Sequence, residues 1–247
     1  LMLSFSFVPV YAENQLVFND VKPGDWYYSD VIDCYKKGLL SGYGDKFGVN
    51  DDITYAQFIK CMVCVNWLDE VRPLTQGELW KAPYIELAVK KGLITTEEIT
   101  NYDAPIPREK IAVYMCKALN IAPDNGEAVF SDTIGKPEVG YINSMYHEYL
   151  TEGSGSDSYG YGTFATRAQL ASFTMRAYKY RLDPNTYKDA KAYYRKPRSD
   201  MDAELDKKIN EILGEIITDD MSEFEKVRAI NDYLVENSIY DTVSVSI

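Results

Sequence analysis

Apolar residues recur at helical spacing in six stretches between residues 31 and 177, and the stretches come in pairs. In the first pair, Val31, Ile32 and Tyr35 share one face of the first helix, and Phe58 and Met62 share one face of the second helix. A glycine or a glycine-rich turn follows the first helix of each pair, as is typical of helix ends. The pattern predicts an all-α, mainly helical fold of three helix-loop-helix units.

A short turn-and-cap signature stands before the second helix of each pair. Its three copies are residues 53–58, 106–111 and 165–170. The flanks repeat as well, because Trp26 precedes Gly38 by the same twelve positions that separate Trp80 from Gly92. A period of roughly 50–60 residues indicates a repeat architecture.

The repeats divide most of the chain into three units. We place them at residues 13–72, 73–124 and 125–182. One such unit is too small to bury a stable core alone, whereas three packed around a common axis can share one. The sequence therefore predicts a compact pseudo-three-fold arrangement rather than three independent domains.

The first residues have the composition of a targeting segment. Residues 1–12 are apolar, too short to span a bilayer, and end in Val10-Tyr11-Ala12, a small-residue cleavage pattern. We interpret them as the remnant of a secretory signal peptide; a buried N-terminal strand is the alternative. No other segment has the roughly 18 consecutive apolar residues of a membrane helix. We therefore expect an exported protein with no membrane insertion in its mature form.

The character of the chain changes after the third repeat. Prolines and basic residues over 183–203 favour a solvated linker. Apolar positions over 205–216 then mark an amphipathic helix, and Ser222 with Glu225 has the composition of a capping box that opens another helix. We expect residues 204–247 to be the start of a second domain.

The formal net charge of −12 argues against two classes of partner. Nucleic acid binding needs a basic face that releases counterions, and an acidic protein is not attracted to an anionic membrane surface. The 21 tyrosines, each with an apolar body and a polar tip, would suit a surface or sugar-facing protein.

The cysteines show a CxxC spacing without the context of a redox or zinc site. Cys61 and Cys64 lie inside an apolar helical run, whereas a redox CxxC stands at a helix start after a strand. His147 is the single histidine, and a structural zinc ion needs four clustered ligands. We expect these cysteines in the core and leave a disulfide open, because the protein is expected to be exported.

Two of the three signatures have the composition of a capping box, Thr54 with Gln57 and Thr166 with Gln169. In this motif the threonine hydroxyl accepts from a backbone N–H, and the glutamine reaches back to the N-cap. In the second copy Pro107 and Lys110 take these two positions, so the box is lost, although proline still suits a helix start.

Arg108 and Arg167 stand at the first turn of a predicted helix, where the helix dipole disfavours a cation. Free helix N–H groups together with a guanidinium would form a site for a carboxylate or phosphate. Tyr55 holds this position in the first copy and makes that site neutral. The alternative is that the arginines pair with a local acid, such as Asp103 or Asp157.

The order of these motifs resembles the S-layer homology (SLH) repeat, which normally occurs three in a row. Thr166-Arg167-Ala168-Gln169 is similar to the family's Thr-Arg-Ala-Glu motif, and Thr54-Tyr55-Ala56-Gln57 matches it in part; the resemblance covers about residues 18 to 180. It implies a three-pronged helical pseudo-trimer that anchors exported proteins non-covalently to the cell wall of a Gram-positive-type bacterium. The partner would be an anionic, often pyruvylated, secondary cell-wall polysaccharide.

The resemblance also assigns roles to residues. Arg108 and Arg167 would hold the ketal carboxylate of the sugar in grooves between the prongs. Trp26 and Trp80 would offer apolar faces to the sugar ring, unless they lie in the core. The remaining candidates for the polysaccharide site are Tyr55, Thr54, Thr166, Gln57 and Gln169. No catalytic residue, metal or cofactor is implied.

Departures from the family pattern suggest that two of three grooves bind. Tyr55 replaces the arginine in the first copy, and Pro107 replaces the threonine in the second. The third repeat lacks the tryptophan and has Glu148 at the position that we align with Gly38.

Residues 224–235, followed by Tyr240-Asp241, resemble the opening helix of transglutaminase-like cysteine domains. The catalytic residues of that family would lie beyond residue 247, and Cys116 and His147 of the repeats are not expected to form a dyad. We expect this chain to be a binding module and not an enzyme. The alternatives are a surface transglutaminase-like hydrolase or transferase tethered by the repeats, and an exported helical scaffold that binds protein.

Overall fold

The computed structural model describes residues 18–155, 157–194, 198–218 and 220–237. Over this part of the chain the ordered elements are helices, with isolated bridges in place of β-strands, so the mainly helical prediction is confirmed. The signal-peptide interpretation of residues 1–12 and the motif Tyr240-Asp241 lie outside the described residues.

The helices alternate between short and long up to residue 182. Their bounds are α1 Tyr28–Lys36, α2 Tyr55–Trp67, α3 Ala82–Lys90, α4 Arg108–Ala118, α5 Val139–His147, α6 Arg167–Leu182, α7 Pro184–Tyr194, α8 Arg198–Ile216 and α9 Glu223–Asn237. Short 3-10 turns lie at Leu68–Glu70 and Ser131–Thr133.

Each short helix packs on one long helix. Helix α3 packs on α2, α5 packs on α4, and α1 packs on α6, which comes more than a hundred residues later in the chain. Helix α2 also packs on both α4 and α6. The long helices supply much of the buried apolar core, and the first and last units are interlocked through α1 and α6.

The three short helices end in the same way. The residue after each C-cap has a positive φ, +68° at Gly38, +71° at Gly92 and +60° at Tyr149. The following N–H then donates to the carbonyl five residues back. Tyr149, and not Glu148, is therefore the structural equivalent of Gly38, which corrects our alignment by one residue.

Three loop segments meet at the N-terminal ends of the long helices. Isolated bridges join Asp52 with Thr166, Thr54 with Pro105, and Pro107 with Phe164. Each segment thus contacts the other two, and Ile53, Ile106 and Ala165 at their centres are fully buried. We call residues 52–54, 105–107 and 164–166 the hub.

An aspartate anchors the loop before the hub in the first and third units. The Asp20 carboxylate accepts from the N–H groups of Phe47, Gly48 and Val49 at 2.7–3.3 Å. The Asp132 carboxylate accepts from the N–H groups of Tyr159, Gly160 and Tyr161 at 2.8–2.9 Å. Burial raises the pKa of each carboxyl, but these hydrogen bonds outweigh it and hold the pKa below its ordinary value.

The segment expected to be a linker differs, because residues 184–194 form α7 and pack on α6. Asp183 accepts from the N–H groups of Asn185 and Thr186, and Pro184 occupies the first turn, so both helix-start signals are present. The Tyr187 ring is buried, and its hydroxyl donates to the Tyr149 carbonyl at 2.8 Å. Burial of Tyr187 explains why this segment folds against the third unit.

Helices α8 and α9 pack on each other. The capping box is confirmed, because Ser222 N–H donates to Glu225 at 2.8 Å and Glu225 N–H donates to the Ser222 hydroxyl at 3.4 Å. Phe224 and Val227 on α9 remain largely exposed. The resemblance to a transglutaminase-like domain stays a prediction. In the described part of the chain no helix has the length and apolarity needed to cross a bilayer.

Candidate ligand-binding grooves

Both predicted capping boxes are confirmed. The hydroxyls of Thr54 and Thr166 accept from the backbone N–H of Gln57 and Gln169 at 3.3 and 3.4 Å. The glutamine side chains in turn accept from the threonine N–H groups at 3.0 and 3.1 Å. Pro107 stands at the third N-cap in an extended conformation, with no side-chain cap. These threonines therefore have a structural role at the hub.

The helix N–H groups that we expected to be free are occupied, so that expectation is wrong. Arg167 N–H donates to the Asp51 carbonyl at 2.9 Å, and Arg108 N–H donates to the Thr163 carbonyl at 2.9 Å. Tyr55 N–H donates in the same way to Ala104 at 3.1 Å. The hub brings a loop of another unit onto each helix start, so a ligand must be recognised by side chains instead.

Arg167 is 3% exposed and reaches from α6 into the first unit. Its Nε donates to the Phe47 carbonyl and its Nη2 to the Ser41 carbonyl, both at 2.7 Å. The guanidinium stacks over the rings of Tyr43 and Phe47, 4.5 and 4.8 Å from their centroids. Desolvation of this cation is offset by carbonyls and aromatic faces rather than by a carboxylate.

The alternative that the arginines pair with a local acid is wrong for the described residues. No ion pair joins Arg108 or Arg167 to a carboxylate in that part of the chain. Asp103 is paired with Lys81, and the Asp157 side chain accepts from Ser131 N–H at 3.3 Å.

Arg167 lines a groove of about 420 Å³ between the first and second units. Gln57 and Trp80 line it too, so the structure brings three predicted site residues together. Other lining side chains are Tyr43, Lys60, Arg72 and Tyr84. The Gln57 amide donates to the Tyr43 hydroxyl at 3.0 Å, which orients both side chains along the groove.

The groove is cationic although the chain is acidic. Arg167 and Lys60 carry positive charge without an ion-pair partner in the described residues, and the Lys60 ammonium lies 5.8 Å from the Tyr84 ring centroid. Arg72, by contrast, is neutralised by Glu78 and Glu86, each at 2.7 Å. The groove therefore offers a partly desolvated positive charge beside aromatic faces.

Arg108, at the start of α4, contacts the third unit in the way that Arg167 contacts the first unit. It is 4% exposed, its Nε donates to the Tyr159 carbonyl at 2.9 Å, and its guanidinium stacks over Tyr159 and Phe173. Its Nη1 lies 3.4 Å from Oε1 of Gln169, so this arginine has a glutamine partner that Arg167 lacks. Both arginines thus clamp a neighbouring unit's loop.

Tyr55 makes the equivalent position neutral. Its ring packs edge-on to Tyr114, 6.4 Å between centroids. Lys110, at the glutamine position, forms an ion pair with Glu138 at 2.8 Å, and the Tyr161 hydroxyl donates to the same carboxylate at 2.6 Å. An internal ion pair therefore takes the place of a free cation.

Trp26 and Trp80 are 64% and 45% exposed, so the core alternative is wrong for both. Each precedes a short helix that packs on a long helix carrying a capping glutamine: α3 on α2 with Gln57, and α1 on α6 with Gln169. Trp80 lines the Arg167 groove, and Trp26 holds the equivalent exposed place before α1.

The four cysteines are free and buried, which confirms their placement in the core. Burial raises the pKa of Cys61 and of Cys116 to about 12, so both are protonated thiols at neutral pH. Cys116 donates to the Tyr141 carbonyl, while His147 Nδ1 lies 2.9 Å from the Asp124 carboxylate.

Comparison with known proteins identifies the first unit. Residues 17–59 match the S-layer homology domain family. It is also similar to the "Surface-layer 125 kDa protein" of Lysinibacillus sphaericus, with 28% identity over 120 residues, which cover 44% of this chain and 10% of that protein. The chain thus aligns with about a tenth of the length of this curated relative.

The matched SLH domain includes one side of the groove. It holds Asp20, Tyr43 and the capping box of Thr54 with Gln57. Sequence reasoning missed Tyr43, although its place in the glycine-rich turn two residues after Ser41 was a signal. It also missed Lys60, which lies one turn after Gln57 and shares its helix face.

Proposed function

We propose that this chain anchors an exported protein non-covalently to a bacterial cell wall by binding an anionic secondary cell-wall polysaccharide. Two findings support a surface role: the SLH domain over residues 17–59 and the similarity to a surface-layer protein. The pyruvylated form of the sugar, the Gram-positive-type wall and the export of the chain are parts of the same proposal.

The proposal includes three SLH repeats in a pseudo-three-fold arrangement. The hub supports it, because each of the three segments is bridged to the other two. The aspartates Asp20 and Asp132 also accept from amides 27, 28 and 29 residues later in both units. Equivalent contacts at equivalent offsets are expected of repeats that share one core.

The observation that carries the proposal is the position of Arg167 in the groove. Its Nε and Nη2 are held by carbonyls, and no described residue accepts from Nη1. The fixed guanidinium is thus preorganised to donate to a carboxylate, with Lys60 adding charge and Trp80 and Tyr84 facing the sugar ring. We assign the main binding site to this groove and a second binding site to the surroundings of Arg108.

The test is co-sedimentation of the chain with purified cell-wall sacculi, intact or stripped of secondary polysaccharide. Arg167→Ala would also release the Ser41 and Phe47 carbonyls, so it does not separate binding from folding. Trp80→Ala and Lys60→Ala remove an exposed and a half-buried side chain of the groove instead, and Lys22→Ala removes an exposed lysine outside it as the control.

We expect binding to intact sacculi to fall at least tenfold in Trp80→Ala and severalfold in Lys60→Ala, with Lys22→Ala like the unmodified chain. Stripped sacculi should bind none of the proteins. Equal binding to stripped sacculi, or full binding by both groove variants with unchanged thermal unfolding, would refute the polysaccharide site.

A further inference from the structure

A second cavity, of about 490 Å³, lies between α1, α6 and α7. It shares no lining residue with the Arg167 groove. Its apolar lining residues are Met175, Leu182, Tyr187 and Ala190. Most of its other lining residues are charged, so the cavity has the mixed character of a small-molecule site.

Three of the charged lining residues are cationic: Arg176 and Lys179 from α6, and Lys191 from α7, which feels the charges of the other two. Arg176 Nη1 donates to the Leu150 carbonyl at 3.1 Å, which holds the guanidinium in place. No ion pair joins any of the three to an acid in the described part of the chain, whereas Lys188 on the same helix is paired with Glu148 at 3.1 Å.

The acids that line the cavity are engaged elsewhere. Asp30 accepts from the Ser172 hydroxyl at 2.6 Å, and Asp183 caps the start of α7 through Thr186. Burial lowers the pKa of Lys191, and the charges of Arg176 and Lys179 lower it further, against smaller opposing effects of Asp30 and Glu152. The acids near Lys191 therefore do not balance the positive charges around it.

We propose that this cavity binds a phosphate monoester carried on a small apolar body. A phosphate carries close to two negative charges at neutral pH and accepts several hydrogen bonds, which suits three converging cations better than a carboxylate does. Lys179, Lys191 and Arg176 contact the phosphate, and Tyr187 and Leu182 contact the apolar part. This site is independent of wall binding.

The test titrates hexyl phosphate into the full chain by calorimetry, beside inorganic phosphate and hexanol. Lys191→Gln and Lys179→Gln remove one cation each, and Lys188→Gln, which removes a lysine of α7 that does not line the cavity and is paired with Glu148, is the control. We expect hexyl phosphate to bind the unmodified chain and Lys188→Gln, and to bind the two cavity variants at least tenfold more weakly. Inorganic phosphate should bind more weakly than hexyl phosphate.

Thermal unfolding separates a ligand site from a structural cluster. Without ligand, Lys191→Gln should unfold at the same temperature as Lys188→Gln or higher, because it relieves repulsion. Hexyl phosphate should raise the midpoint of the unmodified chain and not that of Lys191→Gln. Equal binding of hexanol, or binding that Lys191→Gln leaves unchanged, would overturn the site, as would no binding at all.

Vesicles of neutral lipid with or without phosphatidic acid, whose headgroup is a phosphate monoester, distinguish the source of the phosphate. Binding of hexyl phosphate without vesicle binding supports a soluble or polymer-borne phosphate. Vesicle binding that requires Lys191 supports a lipid headgroup. Vesicle binding without hexyl phosphate binding contradicts the cavity and points to surface adsorption.

Discussion

At the scale of single residues, carboxylates and guanidiniums fix the loops of this molecule. The carboxylates of Asp20 and Asp132 each accept hydrogen bonds from three backbone N–H groups of one loop. The guanidiniums of Arg167 and Arg108 donate to backbone carbonyls of the same two loops. Each loop is therefore held on both its N–H and its C=O side. This double attachment leaves little freedom to the backbone that lines the proposed site.

Asp132→Asn should lower the free energy of unfolding by about 2 kcal/mol at neutral pH, because hydrogen bonds to a charged group are replaced by weaker ones. The pKa of Asp132 is lowered in the folded state, so its contribution is present above the unfolded pKa and lost as the pH falls below about 4. Urea unfolding at pH 7 and at pH 3 measures both effects. The exposed Asp52→Asn is the control, and a deficit that persists unchanged at low pH would contradict this assignment.

At the scale of elements, the three long helices start alike but present different chemistry. Helices α2 and α6 carry a capping box, whereas α4 has Pro107 at its N-cap and carries Lys110. The ion pair of Lys110 with Glu138 lies beside Tyr55, where the other two units have arginine. At this third position an internal ion pair therefore stands in place of the unpaired arginine.

Tyr55→Arg alone should not increase binding to sacculi, because the new cation would face Lys110. We expect a lower thermal midpoint from this like-charge contact. Tyr55→Arg with Lys110→Gln restores the composition of the other two units and should increase binding severalfold in the same co-sedimentation. Tighter binding by the single variant would show that Lys110 does not block this groove.

The local features of these elements could be predicted from the sequence, and the long-range ones could not. The capping boxes of Thr54 and Thr166 each lie within four consecutive residues, so the spacing of threonine and glutamine alone identifies both boxes. The occupation of the helix N–H groups depends on loops of another unit, which no local pattern contains. The start of α7 was signalled by Asp183 and Pro184, but only the burial of Tyr187 makes the segment a helix rather than a linker.

Exposure of Trp26 and Trp80 was also beyond local patterns. Both precede a short helix by a residue or two, where helical periodicity does not define an inner face. Their large apolar area favours the core on average, but here they lie at the outer ends of α1 and α3. An exposed tryptophan beside a cationic groove is then a signal of function rather than of packing.

At the scale of the whole molecule, the first and the last helix of the three units, α1 and α6, pack on each other. Helix α1 packs on α6 and not chiefly on its own partner α2, and the hub requires all three loop segments. The repeats should therefore fold as one cooperative unit, unlike a linear array in which each repeat contacts only its neighbours.

A chain cut after residue 124 lacks α5, α6 and the hub segment 164–166. It should lose cooperative unfolding, because α1 and α2 lose their contacts with α6 and the other two hub segments lose their bridges to the third. A chain cut after residue 194 keeps α1 to α7 and should unfold in one transition. Circular dichroism during heating compares the two. A single sharp transition in the shorter chain would mean that the first two units fold by themselves.

The charge distribution of the whole molecule predicts a salt response. The half-buried Lys60 is screened by salt more than the buried Arg167, since the Debye length is about 3 Å at 1 M. Binding to sacculi should therefore weaken as salt rises towards about 1 M, and Lys60→Ala should show a smaller dependence. Salt-independent binding of the unmodified chain would argue against charge-assisted recognition.

The packing of α1 on α6 has a mechanical consequence. Any cargo attached beyond residue 182 pulls on the C-terminal end of α6, the helix that carries Arg167 at its opposite end. Tension along the axis of α6 is resisted in shear by α1 and α2, which both pack on it, once α7 has been pulled away. The detachment force of such an anchor would be set by the rate at which α6 slides out of the bundle rather than by its equilibrium stability.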